Sequence, residues 1–384
     1  MKKKITISLI ILAVIVAGIA IYFIQKPKEP ETIKIGAILP LTGPLAFMGT
    51  PVKNGMELAK EMINEELLKE GKNYRFEIII EDSKGDPKTG VTNLQHLLVT
   101  HNPKIITAFL TGVCLAIKPI AEKEKILFFA QTVSPVIAKD RNYTFRFHYS
   151  FKEEGKKIAE YLNKKIMKKE IKTIGFIYSN DPSTTYEVEE IIIQNLLLEN
   201  RKILKESFHV GEKDFKGIVS KIKTHSLDAI GVFGYGPDVR SILKVLAELR
   251  VNEDKIIFGN LGFIEIDKVP YEIVKNAIFA LPPFLISSHK DQKILQFENK
   301  YKARWGEIQS YSAYYAYDLM YFIRDIIEKN GGKLDKSENI IKIINNGVFN
   351  LMTGSYSFKD GDAHPAVALG KYSKEMKLEE ILNE

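Results

Sequence analysis

The chain has 384 residues, of which 45% are hydrophobic and 27% charged, and its formal net charge is +7. This composition excludes a disordered or fibrous chain, and the length exceeds what one hydrophobic core usually serves, so we expect two α/β lobes. Part of the positive charge lies on lysines at positions 2–4, 26 and 28, and the other charges are interspersed in sign. That distribution disfavours a nucleic-acid partner, which would require a dense basic face.

The N-terminal segment predicts contact with a membrane. Residues 5–24 carry no charge and have lysines on both sides, and at about 1.5 Å per residue they span roughly 30 Å, the thickness of the hydrocarbon core. We interpret residues 1–26 as an uncleaved membrane anchor. A removed signal peptide is the alternative, because Gly18-Ile-Ala20 resembles a cleavage site. Either way the body is extracytoplasmic, at the cell surface or in the periplasm.

Residues 27–31 predict a short, proline-stiffened linker, and strand and helix signals alternate after it. Most predicted strands are continuous apolar runs, which are typical of parallel strands covered by helices on both faces. The predicted strands are 33–39, 76–81, 105–110, 126–130, 174–178, 203–208, 229–233, 256–258 and 277–280. The predicted helices are 52–69, 88–100, 117–123, 153–168, 186–200, 215–223, 237–249, 294–304, 311–329 and 337–346.

This alternation predicts an α/β fold of two doubly wound Rossmann-like lobes joined by a hinge. The pattern breaks near residues 147–150, and the C-terminal segments do not form a third round. We therefore expect lobe I to comprise residues 32–149 plus 283–351, and lobe II residues 150–282 plus 352–384. A ligand cleft between lobes that close about the hinge follows from this organisation, in a body expected to be monomeric.

The sequence gives little reason to expect an enzyme or a metalloprotein. It contains no Gly-x-Ser-x-Gly elbow, no phosphate-binding loop, no His-Glu-x-x-His and no Gly-x-Gly-x-x-Gly. The single cysteine, Cys114, excludes an intramolecular disulfide and a cysteine-based zinc cluster, and the seven histidines are scattered. We expect no cofactor, no metal and no catalytic activity.

Several motifs, taken in their order along the chain, resemble those of one known family. They are IKIGAILPLTGP at 33–44, DSKGDP at 82–87, FRF at 145–147, GEKDF at 211–215, LDAIGVFGYGP at 227–237 and SAYYAYD at 312–318. Together they resemble the leucine/isoleucine/valine-binding-protein-like solute receptors of ABC transporters, which have the type 1 periplasmic-binding fold.

The resemblance implies an extracytoplasmic solute-binding component of an ABC importer. Such a protein captures a small polar organic ligand (an amino acid, amide or related molecule) between its lobes and passes it to permease subunits. One alternative is a ligand-sensing module that signals through a membrane partner. Lys2–Lys4 leave no cytoplasmic domain of its own, so this alternative needs a partner chain. An extracytoplasmic enzyme is a remote alternative.

The predicted ligand-binding residues lie in the loops that follow strands, where open α/β sheets bind ligands. In the family, hydroxyls and backbone amides of the first lobe hold the carboxylate of an amino acid. One hydroxyl position falls on Gly112, which has none, and another falls on Ser134. The aromatic position of the second lobe falls on Tyr235. The predicted set is Phe47, Met48, Thr111, Gly112, Val133, Ser134, Tyr235, Asn260, Gly262 and Phe263.

The family's ammonium-binding acid is the position at which this chain departs from the pattern. It falls near Gly262, and a glycine cannot pair an ammonium. Glu265 and Asp238 are possible substitutes that the sequence alone does not place. We therefore expect a ligand without an α-ammonium, such as an amide, a carboxylate or another aliphatic polar molecule.

Overall fold

The computed structural model describes residues 30–197, 202–266, 269–334 and 337–381. The predicted anchor at 1–26 and most of the predicted linker at 27–31 lie outside these ranges. Within the ranges, no helix combines the length and the apolar composition that crossing a bilayer requires.

The elements alternate as the sequence predicts. The strands are β1 (Glu31–Leu39), β2 (Tyr74–Asp82), β3 (Ile105–Phe109), β4 (Leu127–Gln131), β5 (Thr144–Arg146), β6 (Thr173–Ser179), β7 (Lys202–Phe208), β8 (Ala229–Phe233), β9 (Ile256–Gly259), β10 (Ala277–Leu281), β11 (Phe349–Leu351), β12 (Gly354–Tyr356), β13 (Phe358–Lys359), β14 (Asp362–Ala363), β15 (Ala368–Tyr372) and β16 (Leu378–Glu380). The α-helices are α1 (Ala46–Lys69), α2 (Pro87–Thr100), α3 (Thr111–Lys123), α4 (Phe151–Met167), α5 (Pro182–Thr185), α6 (Lys216–Lys223), α7 (Gly236–Glu248), α8 (Tyr271–Val274), α9 (Gln292–Trp305), α10 (Ser312–Lys329) and α11 (Ser337–Asn346). Helix α5 continues as a π-helix, Tyr186–Ile193.

Each lobe is built on a seven-stranded sheet covered by helices on both faces. The orders are β13-β14-β5-β4-β3-β1-β2 in lobe I and β16-β15-β10-β9-β8-β6-β7 in lobe II. The central strands β3, β4 and β8 are buried along their whole length, which explains why they appear in the sequence as continuous apolar runs. In lobe I, α2 and α3 cover one face, and α1 with α10 covers the other. The prediction of two doubly wound α/β lobes is confirmed.

The chain passes between the lobes after β5, after β10 and after β14. The last passage differs from the predicted boundary at 351/352. Strands β13 and β14 extend the sheet of lobe I, with Asp362 opposite Arg146 in parallel register. Strand β15 then pairs antiparallel with β10 of lobe II. Residues 352–363 therefore lie on lobe I.

A buried ion pair holds β14 on lobe I. The Arg146 guanidinium has no exposure to solvent and pairs with the Asp362 carboxylate. Its Nη1 donates at 2.7 Å to the carbonyl oxygens of His148 and Tyr149, and its Nη2 donates to the carbonyl oxygen of Ala363. One side chain thus connects the first passage between the lobes to the third.

We predict that Arg146→Met lowers the free energy of unfolding by about 3–5 kcal/mol, because it leaves Asp362 buried without its partner. Chemical denaturation measures the change. Lys216→Met is the control, since it breaks the exposed pair between Lys216 and Glu248 and is expected to cost less than about 1 kcal/mol. Equal effects of the two substitutions would contradict the structural role of Arg146.

Candidate ligand-binding site

A cavity lies between the lobes, where the carboxyl ends of both sheets face each other. Ligands of open α/β folds bind at such strand ends. Neither lysine nor arginine is among the described residues that line it. They are Met48, Phe109, Leu110, Thr111, Gln131, Thr132, Val133, His148, Phe151, Ser183, Thr184, Gly234, Tyr235, Leu261, Gly262, Glu265 and Tyr311.

The turn that starts helix α3 forms part of the lobe I wall, through Leu110 and Thr111. Leu110 has a φ of +80°, a region that residues other than glycine rarely adopt and that recurs at functional sites. The turn at Leu110 starts helix α3, whose first helical bond runs from the Cys114 N–H to the Leu110 carbonyl at 2.9 Å. The N–H groups of Thr111, Gly112 and Val113 precede that bond, so the helix supplies them no acceptor and they suit an anion.

Hydroxyl groups connect the two lobes beside the cavity. Thr111 Oγ1 bonds to the Thr132 hydroxyl within lobe I and, at 2.6 Å, to Ser183 Oγ of lobe II. Asp181 positions the second partner, because its Oδ1 accepts the N–H groups of Ser183 and Thr184 at 3.0 and 3.2 Å. The lobes are therefore in a closed arrangement.

Packing explains why the expected acid is absent at Gly262. A Cβ at this position would lie 2.2 Å from the carbonyl oxygen of Gly234. A Cβ at Gly236, in the first turn of α7, would lie 2.4 Å from Cβ of Glu265. The segment 261–265 is pressed against the turn between β8 and α7, so no side chain fits at 262.

Glu265 brings a carboxylate into the cavity three residues later. Burial raises its pKa to about 7, although hydrogen bonds from the Ser310 hydroxyl and the Tyr311 backbone act in the opposite direction. Its Oε1 is buried and has no hydrogen-bond partner. The expectation of a ligand without an ammonium, drawn from Gly262, therefore loses its basis. The other possible substitute, Asp238, does not line the cavity.

Two fully buried acids stand behind this segment. Glu154 Oε1 accepts the Leu261 N–H at 2.7 Å, and Glu187 Oε2 accepts from the Asn260 side chain at 3.4 Å. Burial raises the pKa of both carboxyl groups well above the usual range, and the charge of Glu187 adds to the shift at Glu154. These contacts fix the loop that carries Glu265.

The structure brings half of the predicted ligand-binding residues together. Met48, Thr111, Val133, Tyr235 and Gly262 line the cavity. The tyrosine caps α7 and is half-buried, so it offers the cavity both an aromatic face and a hydroxyl.

The other predicted residues have different surroundings. Phe47 lies in the first turn of α1, which starts earlier than predicted, and packs against the core. Gly112 is not among the residues that line the cavity. Ser134 is buried, and its N–H donates to Thr132 Oγ1. Asn260 accepts the Gly262 N–H. Phe263 is fully buried and stacks on Phe279 at 5.3 Å.

Sequence reasoning missed several lining residues. Phe109 and Gln131 end β3 and β4 in the same register, and a systematic count of strand ends would have found them. His148 lies at the predicted break between the lobes, and the ligand cleft was expected between the lobes. No comparable sequence pattern indicated that Tyr311, which lies just before α10, lines the cavity.

Across the described ranges, no three His, Cys, Asp or Glu side chains converge to hold a metal ion. The lining combines the turn that starts α3 on lobe I with a carboxylate on lobe II that has one unpaired oxygen. Such an arrangement can bind a molecule that carries a negative and a positive group at opposite ends.

Comparison with known proteins gives a consistent result. The family model described as "Periplasmic binding protein" matches residues 32–373. The Leu/Ile/Val-binding protein BraC3 of Rhizobium johnstonii is 23% identical over 62% of this chain and 64% of its own length, so the alignment spans less than two thirds of that relative.

Two solved structures have the same fold. A solute-binding protein of an ABC transporter from Rhodopseudomonas palustris, in complex with 3,4-dihydroxybenzoic acid, has a TM-score of 0.78 at 19% identity, covering 91% of this chain and 96% of that one. The branched-chain amino-acid-binding protein LivJ of Streptococcus pneumoniae, in complex with isoleucine, has a TM-score of 0.75 at 21% identity, covering 91% and 99%.

Proposed function

Because the chain belongs to the periplasmic binding protein family, we propose that it is the extracytoplasmic solute-binding component of an ABC importer. It captures an amino acid between its lobes and delivers it to permease subunits. The proposal includes no catalytic step. The observation that carries it is the unpaired carboxylate oxygen of Glu265 in a cavity whose lobe I wall includes the turn that starts α3.

Each end of an amino acid has a counterpart in the cavity. The N–H groups at the start of α3 and the positive end of its dipole suit the α-carboxylate. The Glu265 carboxylate suits the α-ammonium, which would satisfy its buried oxygen. Met48, Phe109 and Tyr235 supply apolar surface for the rest of the molecule.

The named ligands of similar proteins fall into two chemical classes. BraC3 is named for leucine, isoleucine and valine, and the Streptococcus structure contains isoleucine. The Rhodopseudomonas structure contains a dihydroxybenzoic acid, which has a carboxylate but no ammonium. Such a ligand offers Glu265 only neutral hydroxyl donors, whereas an ammonium gives a stronger, charge-assisted hydrogen bond. Glu265 therefore favours the amino-acid class.

Ligand capture proceeds by closure of the lobes about the three connecting segments. Polar contacts span the cleft, between Thr111 and Ser183 and between Glu265 and both Ser310 and Tyr311. Polar contacts of this kind exchange readily with water in an open form. A ligand that binds only the closed form shifts the population toward it. The body acts as a monomer in this scheme.

We predict that amino-acid affinity rises with pH through about 7 and is constant above it. An ammonium favours the ionised form of Glu265, so protonation of this carboxyl, whose pKa burial raises to about 7, competes with binding. Affinity is expected to fall up to tenfold per pH unit below 7. Calorimetric titration of a panel of amino acids between pH 5.5 and 8.5, a range chosen to span about 1.5 units on each side of this pKa, measures the profile.

Two variants sharpen this test. Glu265→Gln should weaken binding by about 2–5 kcal/mol, because the ammonium loses its charged partner, and should flatten the profile. Asp238→Asn is the control, because burial raises the pKa of Asp238 to about 6 but its side chain does not line the cavity. An unchanged profile in Glu265→Gln, or a flat one in Asp238→Asn, would count against the assignment.

We also propose that residues 1–26 anchor the protein to the outer face of the membrane. The uncharged segment 5–24 between lysines supports this. Full-length protein should sediment with membranes, and its body should be open to external protease. A soluble protein whose N-terminus is Ile21 would instead identify a removed signal peptide.

A further inference from the structure

Lobe I presents a second group of unpaired polar atoms in the same cavity. Gln131 and His148 both line it and are 0% and 1% exposed. Gln131 Oε1 and both ring nitrogens of His148 are buried and have no hydrogen-bond partner. Buried polar atoms are rarely left unpaired, so these two residues point to a polar group of the solute.

A hydrogen bond with Thr107 fixes the orientation of the Gln131 amide. Thr107 Oγ1 donates its hydrogen to the Phe129 carbonyl at 2.8 Å, so it can only accept from Gln131 Nε2, at 3.0 Å. Oε1 of Gln131 must then be the atom that remains unpaired. The position therefore offers the solute a hydrogen-bond acceptor.

His148 offers one donor and one acceptor. Burial and the neighbouring Arg146 lower its pKa to about 3, so the ring is neutral and only one nitrogen carries a proton. Its ring packs against Tyr315 at 4.7 Å and Phe109 at 5.9 Å. Phe109 is the register partner of Gln131, which places both polar residues on one part of the wall.

Among the described residues of lobe I that line the cavity, none carries a formal charge. Arg146, the nearest cation, is committed to Asp362 and to main-chain carbonyl groups. The remaining ionisable neighbours of the histidine ring, Tyr311 and Tyr315, have pKa values raised by burial and are neutral. A charged side chain of a solute would find no counter-ion here.

Building on the proposed function, we infer that the solute is an α-amino acid with an uncharged hydrogen-bonding side chain, a carboxamide or a hydroxyl, which Gln131 and His148 recognise. The N–H or O–H of that side chain donates to Gln131 Oε1, and its oxygen accepts from the His148 N–H. A leucine, isoleucine or valine side chain would leave these atoms buried without partners.

Pairs of amino acids of nearly equal shape test the inference. Full-length protein purified in detergent is titrated at pH 8 with threonine against valine and with asparagine against leucine. We expect the polar member of each pair to bind at least about tenfold more tightly, as expected when a site built to hydrogen-bond its ligand meets one that lacks the group. Gln131→Met and His148→Phe should each reduce that ratio toward one, because each removes one hydrogen-bond partner of the polar side chain. His148→Gln should restore part of the ratio.

The outcomes separate this inference from the proposed function. Valine and leucine that bind as tightly as threonine and asparagine would overturn the inference and leave the amino-acid function intact. Preservation of the ratio in Gln131→Met and His148→Phe would also overturn it. Binding of 4-hydroxybenzoate, with no binding of any amino acid, would overturn both.

Discussion

The buried guanidinium of Arg146 is the constraint on which the geometry of the cleft depends. It lies at the end of β5, pairs with Asp362 of β14 and holds the main chain at His148 and Tyr149. An unpaired charge at this depth would be strongly destabilising, so the returning strand must come to lobe I. The same contacts fix the start of the first segment that connects the lobes. They also position the main chain of His148, a residue of the cavity wall.

Closure leaves several polar groups in the cavity without partners. Glu265, Gln131 and His148 each have at least one buried unpaired atom, and each such atom costs about 1–3 kcal/mol. A solute that forms hydrogen bonds with these atoms recovers that free energy only in the closed form. Specificity and closure therefore have a common origin, because a molecule lacking the matching groups neither satisfies the wall nor favours the closed state.

The fold was predictable because the sequence patterns that indicate its strands and helices are local. Half of the ligand-binding site was not predictable in this way. Continuous apolar runs identify the buried parallel strands, and Met48, Thr111 and Tyr235 follow from the rule that ligands bind at strand ends. The role of Glu265 does not follow from that rule. Because Gly262 lies close to the Gly234 carbonyl, no side chain fits at 262, and the carboxylate comes from residue 265 instead. The lobe boundary depends on a contact between Arg146 and Asp362, which are far apart in the sequence and show no local pattern.

Ligand-driven closure is measured most directly by small-angle X-ray scattering of residues 30–384 at pH 8. With a saturating amino acid, the radius of gyration should decrease, because the solute supplies the partners that Glu265 and the lobe I wall lack. Glu265→Gln should remain open at the same concentration. Calorimetric binding of an amino acid without any compaction of the wild-type protein would contradict the account.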